Sequence, residues 1–365
     1  MPVDAKIRKI IETNGYIKID DMMEQVLSIN PDSYYIATEN IGIDGDFITS
    51  PEISQLFGEI IALWVIEQWQ KLGKPNEFCL LELGPGQGTL MDDLLCTSSK
   101  IASSFLKRAK VHLLEINHKF IQKQKFKLEK HKKEITWVKK VLDLPELPLI
   151  VISNEFFDAL PIKQFLKTQG RWHESILIID PIDGKIKYSK IEIKQALQTQ
   201  LKLEHLNAND GAVIEESIES LEIIRALSDH INKYSGAALI IDYGYDIQTP
   251  ERTRNQYNST LQAVKNHQYW PIIDTLGEAD LTAHVDFNAL KRASKERGVS
   301  NFRNFSQRNF LLSYGIELRL HELKKTIVPE EYDILNKQVL RLISPSMMGE
   351  LFKVLEISNH ANFKG

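Results

Sequence analysis

The chain has 365 residues, of which 43% are hydrophobic and 26% charged, with a net charge of −4. That length allows one large α/β domain with additions or two domains sharing a core, and the composition is that of an ordinary folded protein. The charge excludes a global drive toward nucleic acid, while two cysteines, Cys79 and Cys96, exclude a disulfide framework and stand in no metal-ligand spacing. No apolar stretch reaches the length of a membrane span and the N-terminus lacks a signal-peptide core, so no membrane insertion and a cytoplasmic location are expected.

Apolar residues from Ile7 to Ile11 and again from Ile17 to Leu27 predict two short amphipathic helices over 4–29, broken near Asn14–Gly15. A turn over Asn30–Tyr35 should expose Tyr34 and Tyr35, and 42–51 reads as loop. Ser50 as N-cap, with Pro51 and Glu52 in the first turn, predicts one long helix running to Trp69.

Next comes Cys79–Leu80–Leu81–Glu82–Leu83–Gly84–Pro85–Gly86–Gln87–Gly88–Thr89, a strand, a glycine loop and the start of a helix. In that layout a nucleotide-like ligand lies against the helix N-terminus, and glycines let the backbone turn where a Cβ would collide. A dinucleotide fingerprint would need its third glycine at Thr89. An acid followed by G-x-G-x-G is instead the pattern of methyltransferases that use S-adenosyl-L-methionine (SAM). Glu82 suits that ligand, since a carboxylate at a strand end can pair with its amino group. Glu82, Gly84, Pro85, Gly86 and Gly88 are therefore expected to contact the cofactor. Val111–Glu115 reads as the second parallel strand, placing Glu115 where a carboxylate takes the ribose hydroxyls.

A basic helix over Lys119–Lys132 and a third strand, Ile135–Val138, follow. Leu149–Ser153 is a continuous apolar run, hence a buried parallel strand that delivers Asn154–Pro161 to the carboxyl edge of the sheet. Residues 163–189 read as an antiparallel excursion with a turn at Pro181–Gly184, 217–233 as a helix, and Ala237–Tyr245 as the fifth parallel strand. Residues 246–283 lack apolar periodicity and read as an irregular, lid-like segment. Helices are expected over Asp286–Ala293 and Gln307–Leu323, and Leu351–Ser358 should close the sheet as an antiparallel edge strand. The expectation is a Rossmann-like α/β methyltransferase fold: a helical region (1–75), two core halves (76–162 and 236–365) and an insertion (163–235).

Several blocks then carry a specific resemblance: Gly45–Glu59, Glu82–Met91, Asn154–Pro161, Ile241–Tyr245, Gly277–Phe287 and Met348–Leu355. Together they resemble, in order and over nearly the whole chain, the SAM-dependent methyltransferase family that includes MidA and the mitochondrial complex I assembly factor. The resemblance implies a protein-arginine methyltransferase acting, as its eukaryotic members do, on a complex I subunit, or on a related protein. One departure is local: where many SAM enzymes carry an acid near the adenine, this chain has Val138–Lys139–Lys140, leaving Asp143 as a substitute or as a solvated turn acid.

A guanidinium must lose a proton during or after methyl transfer, and two carboxylates can clamp it and accept that proton. Glu155 and Asp158, three residues apart, are the candidates, against structural roles as acceptor and helix cap. Asn154 could serve cofactor or substrate. His284 is a candidate base or a structural histidine; Tyr243 and Tyr245 line a substrate channel or pack; Glu278 and Asp280 face the cleft or only solvent. No N-P-P-Y motif follows the fourth strand, which disfavours adenine, glutamine or cytosine acceptors. Methylation of another protein or a small molecule, and a SAM-binding assembly chaperone without turnover, stay open. A protein substrate, SAM as cofactor, no nucleic acid, no metal and a homodimer complete the expectations.

Overall fold

The structure is a computed structural model that describes residues 2–29, 33–34, 48–247, 252–253, 256–265, 268–274 and 276–360. The chain divides into two compact, interleaved units: Met1–Asn40, Phe157–Glu222 and Tyr245–Asn288 form one, and Ile41–Phe156, Ile223–Gly244 and Ala289–Gly365 the other. No helix among the described residues is long and apolar enough to cross a membrane.

In chain order the strands are β1 (Ile17–Lys18), β2 (Phe78–Leu83), β3 (Ala109–Leu114), β4 (Ile135–Val138), β5 (Leu149–Asn154), β6 (Lys163–Thr168), β7 (Arg171–Ile179) and β8 (Ile186–Glu192). They continue with β9 (Val213–Glu216), β10 (Gly236–Tyr245), β11 (Gln262–Lys265), β12 (Gln268–Trp270), β13 (Asp280–Thr282), β14 (Val285–Asp286), β15 (Asn301–Ser306) and β16 (Phe352–Asn359).

The second unit is built on a sheet ordered β15-β16-β10-β5-β2-β3-β4. Strands β10, β5, β2, β3 and β4 run parallel, and β16 lies antiparallel between β10 and β15. This is the class I methyltransferase sheet, and β16 is its next-to-last strand; β15 is the edge, not β16 as the sequence suggests. Parallel strands covered on both faces read as unbroken apolar runs, which is why Phe78–Leu83 and Leu149–Ser153 are fully buried. One face carries Phe78 and Leu80, Val111 and Leu113, Ile150 and Ile152, Leu239 and Ile241, packed with Phe57, Trp64 and Leu94 from the helices Gln55–Lys71 and Thr89–Ile101. Those two helices approach closely at Gly58, where a Cβ would come within 2.4 Å of the Asp93 Cβ.

The expected helix from Ser50 is two elements. Ser50–Ile53 makes one turn, Ser54 breaks out to φ −155° and ψ 130°, and its hydroxyl then caps Gln55–Lys71 by accepting the Leu56 N–H at 3.4 Å. A serine can compete for a backbone N–H in this way, so it starts a new helix instead of continuing the old one. Likewise 307–323 splits into Gln307–Ser313 and Ile316–Leu323 around Gly315 at φ 84°, and a further helix, Pro329–Ile343, has no counterpart in the sequence reading.

The first unit holds an antiparallel sheet in which β7 pairs with β6, β8 and β1, and β6 with β9. The antiparallel excursion is therefore present, with β9 added. The supposedly irregular 246–283 contains a three-stranded sheet, β12-β11-β13. Tyr34, expected to be exposed, is buried with Ile7, Met22 and Leu177. Residues 30–32 and 35 of the turn and the loop at 42–47, including the start of the Gly45–Glu59 block, lie outside the described residues.

Candidate active site

The apolar columns of the sheet face end in polar groups at the carboxyl edge. Side chains alternate across a strand, and partners in parallel strands point the same way. Registers Glu82↔Ile152 and Glu82↔Leu113 therefore put Glu82, Asn154 and Glu115 on one face, each two residues beyond a core aliphatic. The loop after β2 turns through three left-handed glycines, Gly84 (φ 57°), Gly86 (φ 50°) and Gly88 (φ 81°). At Gly84 a Cβ would strike the Phe156 ring at 2.6 Å, whereas at Gly86 it would meet nothing within 4 Å. Pro85 accepts the Gly88 N–H at 2.7 Å and so closes the loop onto the helix Thr89–Ile101.

Glu82 is 3% exposed, and its Oε2 has no hydrogen-bond partner among the described residues. Burial, and then the neighbouring Glu115 carboxylate, push its carboxyl up to about 8. Glu115 is tied down: Oε1 accepts the N–H groups of Ile116 (2.9 Å) and Asn117 (2.8 Å), and Oε2 accepts from Gln124 Nε2 (3.1 Å). Burial raises its carboxyl, and these hydrogen bonds work against that rise. Gln124 also donates to the Gly86 carbonyl at 2.7 Å and accepts from Trp137 Nε1 at 2.7 Å. One amide thus links the glycine loop, the second-strand acid and the third strand. The sequence reading missed it inside a basic helix. Its signal is the spacing Phe120–Gln124–Leu128, which puts a polar residue on the buried stripe. Asp143 accepts the Lys140 N–H at 3.1 Å at an exposed turn, the solvated-turn role.

At the end of β5, Asn154 Nδ2 donates to Glu155 Oε1 at 2.9 Å, while Asn154 Oδ1 is buried without a partner among the described residues. Glu155 itself adopts φ 50°, a left-handed conformation that residues with a Cβ rarely take. Its Oε1 also accepts the Ser50 N–H at 2.9 Å, and its own N–H donates to the Ile241 carbonyl at 3.0 Å. Tyr243, expected on a substrate channel, is 4% exposed in the core, its ring edge-on to Phe352 at 5.5 Å.

The structure therefore gathers Glu82, Gly84, Pro85, Gly86, Gly88, Glu115, Asn154 and Glu155 in the unit built on the parallel sheet. Asp158, Tyr245, Glu278, Asp280 and His284 belong to the other unit. There the buried Asp158 accepts the Ala283 N–H through its carbonyl at 2.9 Å. Glu278 is exposed and paired with Lys265 at 2.8 Å, and Asp280 is buried in β13. The His284 N–H donates to Thr260 Oγ1 at 2.9 Å, and burial holds the imidazole below its ordinary range despite Glu215 nearby. Tyr245 carries the Arg252 guanidinium over its ring at 4.4 Å, and Arg252 pairs with Asp286 at 2.7 Å. Tyr245 and Arg252, with Glu215, Gln256 and Thr260, line a cavity of about 210 Å³.

SAM fits the first group of residues. Glu82 Oε2 and Asn154 Oδ1 are buried acceptors on one face, suited to an ammonium, and the open side of Gly86 leaves room where a cofactor chain must pass. Glu115 stands at the second strand end, where ribose hydroxyls are taken.

Comparison with known proteins agrees. Residues 60–305 match the family model described as "Putative S-adenosyl-L-methionine-dependent methyltransferase". The mitochondrial protein arginine methyltransferase NDUFAF7 of Homo sapiens is 32% identical over 391 residues, covering 100% of this chain and 86% of that protein. The Drosophila melanogaster homolog is 31% identical over 96% of this chain and 83% of its own. A crystal structure from Burkholderia thailandensis, of a COG1565 superfamily member bound to S-adenosyl-homocysteine (SAH), superposes with a TM-score of 0.84 at 26% identity, covering 99% of this chain and 92% of that one. The chain belongs to this family of S-adenosyl-L-methionine-dependent methyltransferases.

Proposed function

We propose that the enzyme methylates an arginine side chain of a protein, and that this protein is a subunit of respiratory complex I. The observation carrying the reading is the match to NDUFAF7, named a protein arginine methyltransferase, along the whole of this chain. A likeness confined to the cofactor loop would say nothing of the acceptor.

When bound, the cofactor supplies a methyl group on a sulfonium; positioning and proton management fall to the chain. Glu82 and Asn154 Oδ1 hold the ammonium end, and Glu115 takes the ribose. An arginine reaches the enzyme protonated and is a poor nucleophile in that state. Glu155 binds the guanidinium, concentrates electron density on one nitrogen and accepts its proton. Glu155 is suited to this because Ser50 and Asn154 fix its carboxylate in place. The two free thiols, with Cys79 pushed up by burial, suit a reducing compartment such as the cytoplasm, while the frog and human relatives are named mitochondrial.

Incubation with methyl-labelled SAM and complex I subunit peptides, followed by mass spectrometry, tests the reading. Label is expected on arginine and should fall at least about 100-fold in Glu155→Gln. Label on another residue type, or arginine label unaffected by Glu155→Gln, would overturn it.

A further inference from the structure

Glu82 Oε2 and Asn154 Oδ1 give the amino-acid end of the cofactor two acceptors, but an α-carboxylate needs a donor. We propose that the Ser50 hydroxyl is that donor, and that the Ser50–Ile53 turn is the wall closing the amino-acid end of the SAM site, latched there by Glu155. The proposal rests on the SAM assignment.

Ser50 is 0% exposed, and its Oγ has no partner among the described residues. A hydroxyl buried in that state is costly unless something else bonds it. Its position is fixed: the Ser50 N–H and Asn154 Nδ2 donate to the same oxygen, Glu155 Oε1, each at 2.9 Å, so the two nitrogens are at most twice that distance apart. Ser50 therefore neighbours Asn154, whose carbonyl oxygen is also unpartnered among the described residues.

Two other buried oxygens are worse candidates. Ser153 Oγ also lacks a partner among the described residues, but the register Leu83↔Ser153 puts it on the opposite face from Glu82. Glu52 Oε2 lacks one as well, yet a carboxylate is the wrong partner for a carboxylate. Burial raises its carboxyl, the Lys127 ammonium works against that rise, and Lys127 bonds Thr89 Oγ1 at 2.6 Å at the start of the following helix. Ser50 offers a hydroxyl proton at the residue that shares the Glu155 carboxylate oxygen with Asn154. The latch also accounts for the left-handed backbone of Glu155, which aims its carboxylate at the turn.

Calorimetry on the full chain tests the proposal with two ligands: SAH, and 5′-methylthioadenosine, which keeps the nucleoside and thioether but lacks the amino-acid end. Ser50→Ala should weaken SAH about tenfold and leave 5′-methylthioadenosine unchanged. The melting temperature of the ligand-free variant should stay level or rise, because the substitution removes an unsatisfied hydroxyl. Unchanged SAH affinity, or equal loss of both ligands, would overturn the assignment. For the latch, Glu155→Ala should reproduce the Ser50→Ala pattern, while Glu155→Gln, whose amide oxygen still accepts, should keep SAH affinity. Equal loss in the two Glu155 variants would overturn the latch. Failure of the wild-type chain to bind either ligand would instead count against the SAM assignment.

Discussion

Glu82 and Glu215 are two acids in two units, and their surroundings are opposite. Glu215, in β9, accepts from Gln164 Nε2, Ser259 Oγ, the N–H groups of Thr260 and Leu261, and the Thr260 hydroxyl. Glu82, at the end of β2, is almost wholly buried with one oxygen unpartnered among the described residues. A saturated carboxylate is spent on architecture; a buried one left short of donors is held ready for a ligand. By that contrast, the chain's own groups complete the polar shell around β9, whereas the edge of β2 is completed by the cofactor.

The largest test removes the space rather than the charge. Gly86→Val should abolish SAH binding, by at least about 100-fold, while the fold persists, since its Cβ meets no protein atom; the strain of φ 50° should cost about 2 kcal/mol. Loss of the fold itself would show that the loop serves architecture too.

Next, Glu82→Gln should weaken SAH by about 10- to 100-fold. In the wild type the empty site holds a proton on Glu82 below about pH 8, and binding an ammonium must expel it, so SAH affinity should climb as pH rises from 6 to 8. The sign for stability is opposite. The folded chain binds the proton more tightly than the unfolded one, so this group's contribution to stability falls as pH rises from the ordinary carboxylate range to about 8. Both slopes should vanish in Glu82→Gln, read by calorimetry and by melting curves.

Glu215→Ala should do the reverse, lowering stability by about 2–3 kcal/mol through the donors it orphans while leaving SAH affinity intact. A matching loss of affinity would break the contrast between the two acids. The smallest effect is expected for Gln124→Ala, which touches the cofactor only through Glu115 and Gly86: about 1 kcal/mol in SAH affinity, a several-fold change.

Much of the methyltransferase unit was legible because burial on both faces writes itself into a strand as an unbroken apolar run. Glu82, Glu115 and Asn154 were legible because each ends such a run. What escaped depends on partners distant in the chain. β9 is four residues with two glutamates, and β12 is Gln268–Tyr269–Trp270 with every side chain exposed; only pairing with other strands makes either a strand. The edge position of β15 is a fact of sheet order, which no local pattern records. Ser54 and Gly315 each split a helix that apolar spacing alone would continue. Ser50 was read as a helix cap because its sequence neighbours fit one; its orphaned hydroxyl appears only once β5 is beside it.

The place of β16 has a consequence for biosynthesis. It pairs with β10 on one side and β15 on the other, so until Phe352–Asn359 has left the ribosome both of those strands present open hydrogen-bonding edges. The nascent chain must carry the open margin of β10 until β16 is made, and gains a second once β15, Asn301–Ser306, has emerged. Completion of the sheet is a late event, and a translational pause or premature stop just before Phe352 would yield a species prone to self-association.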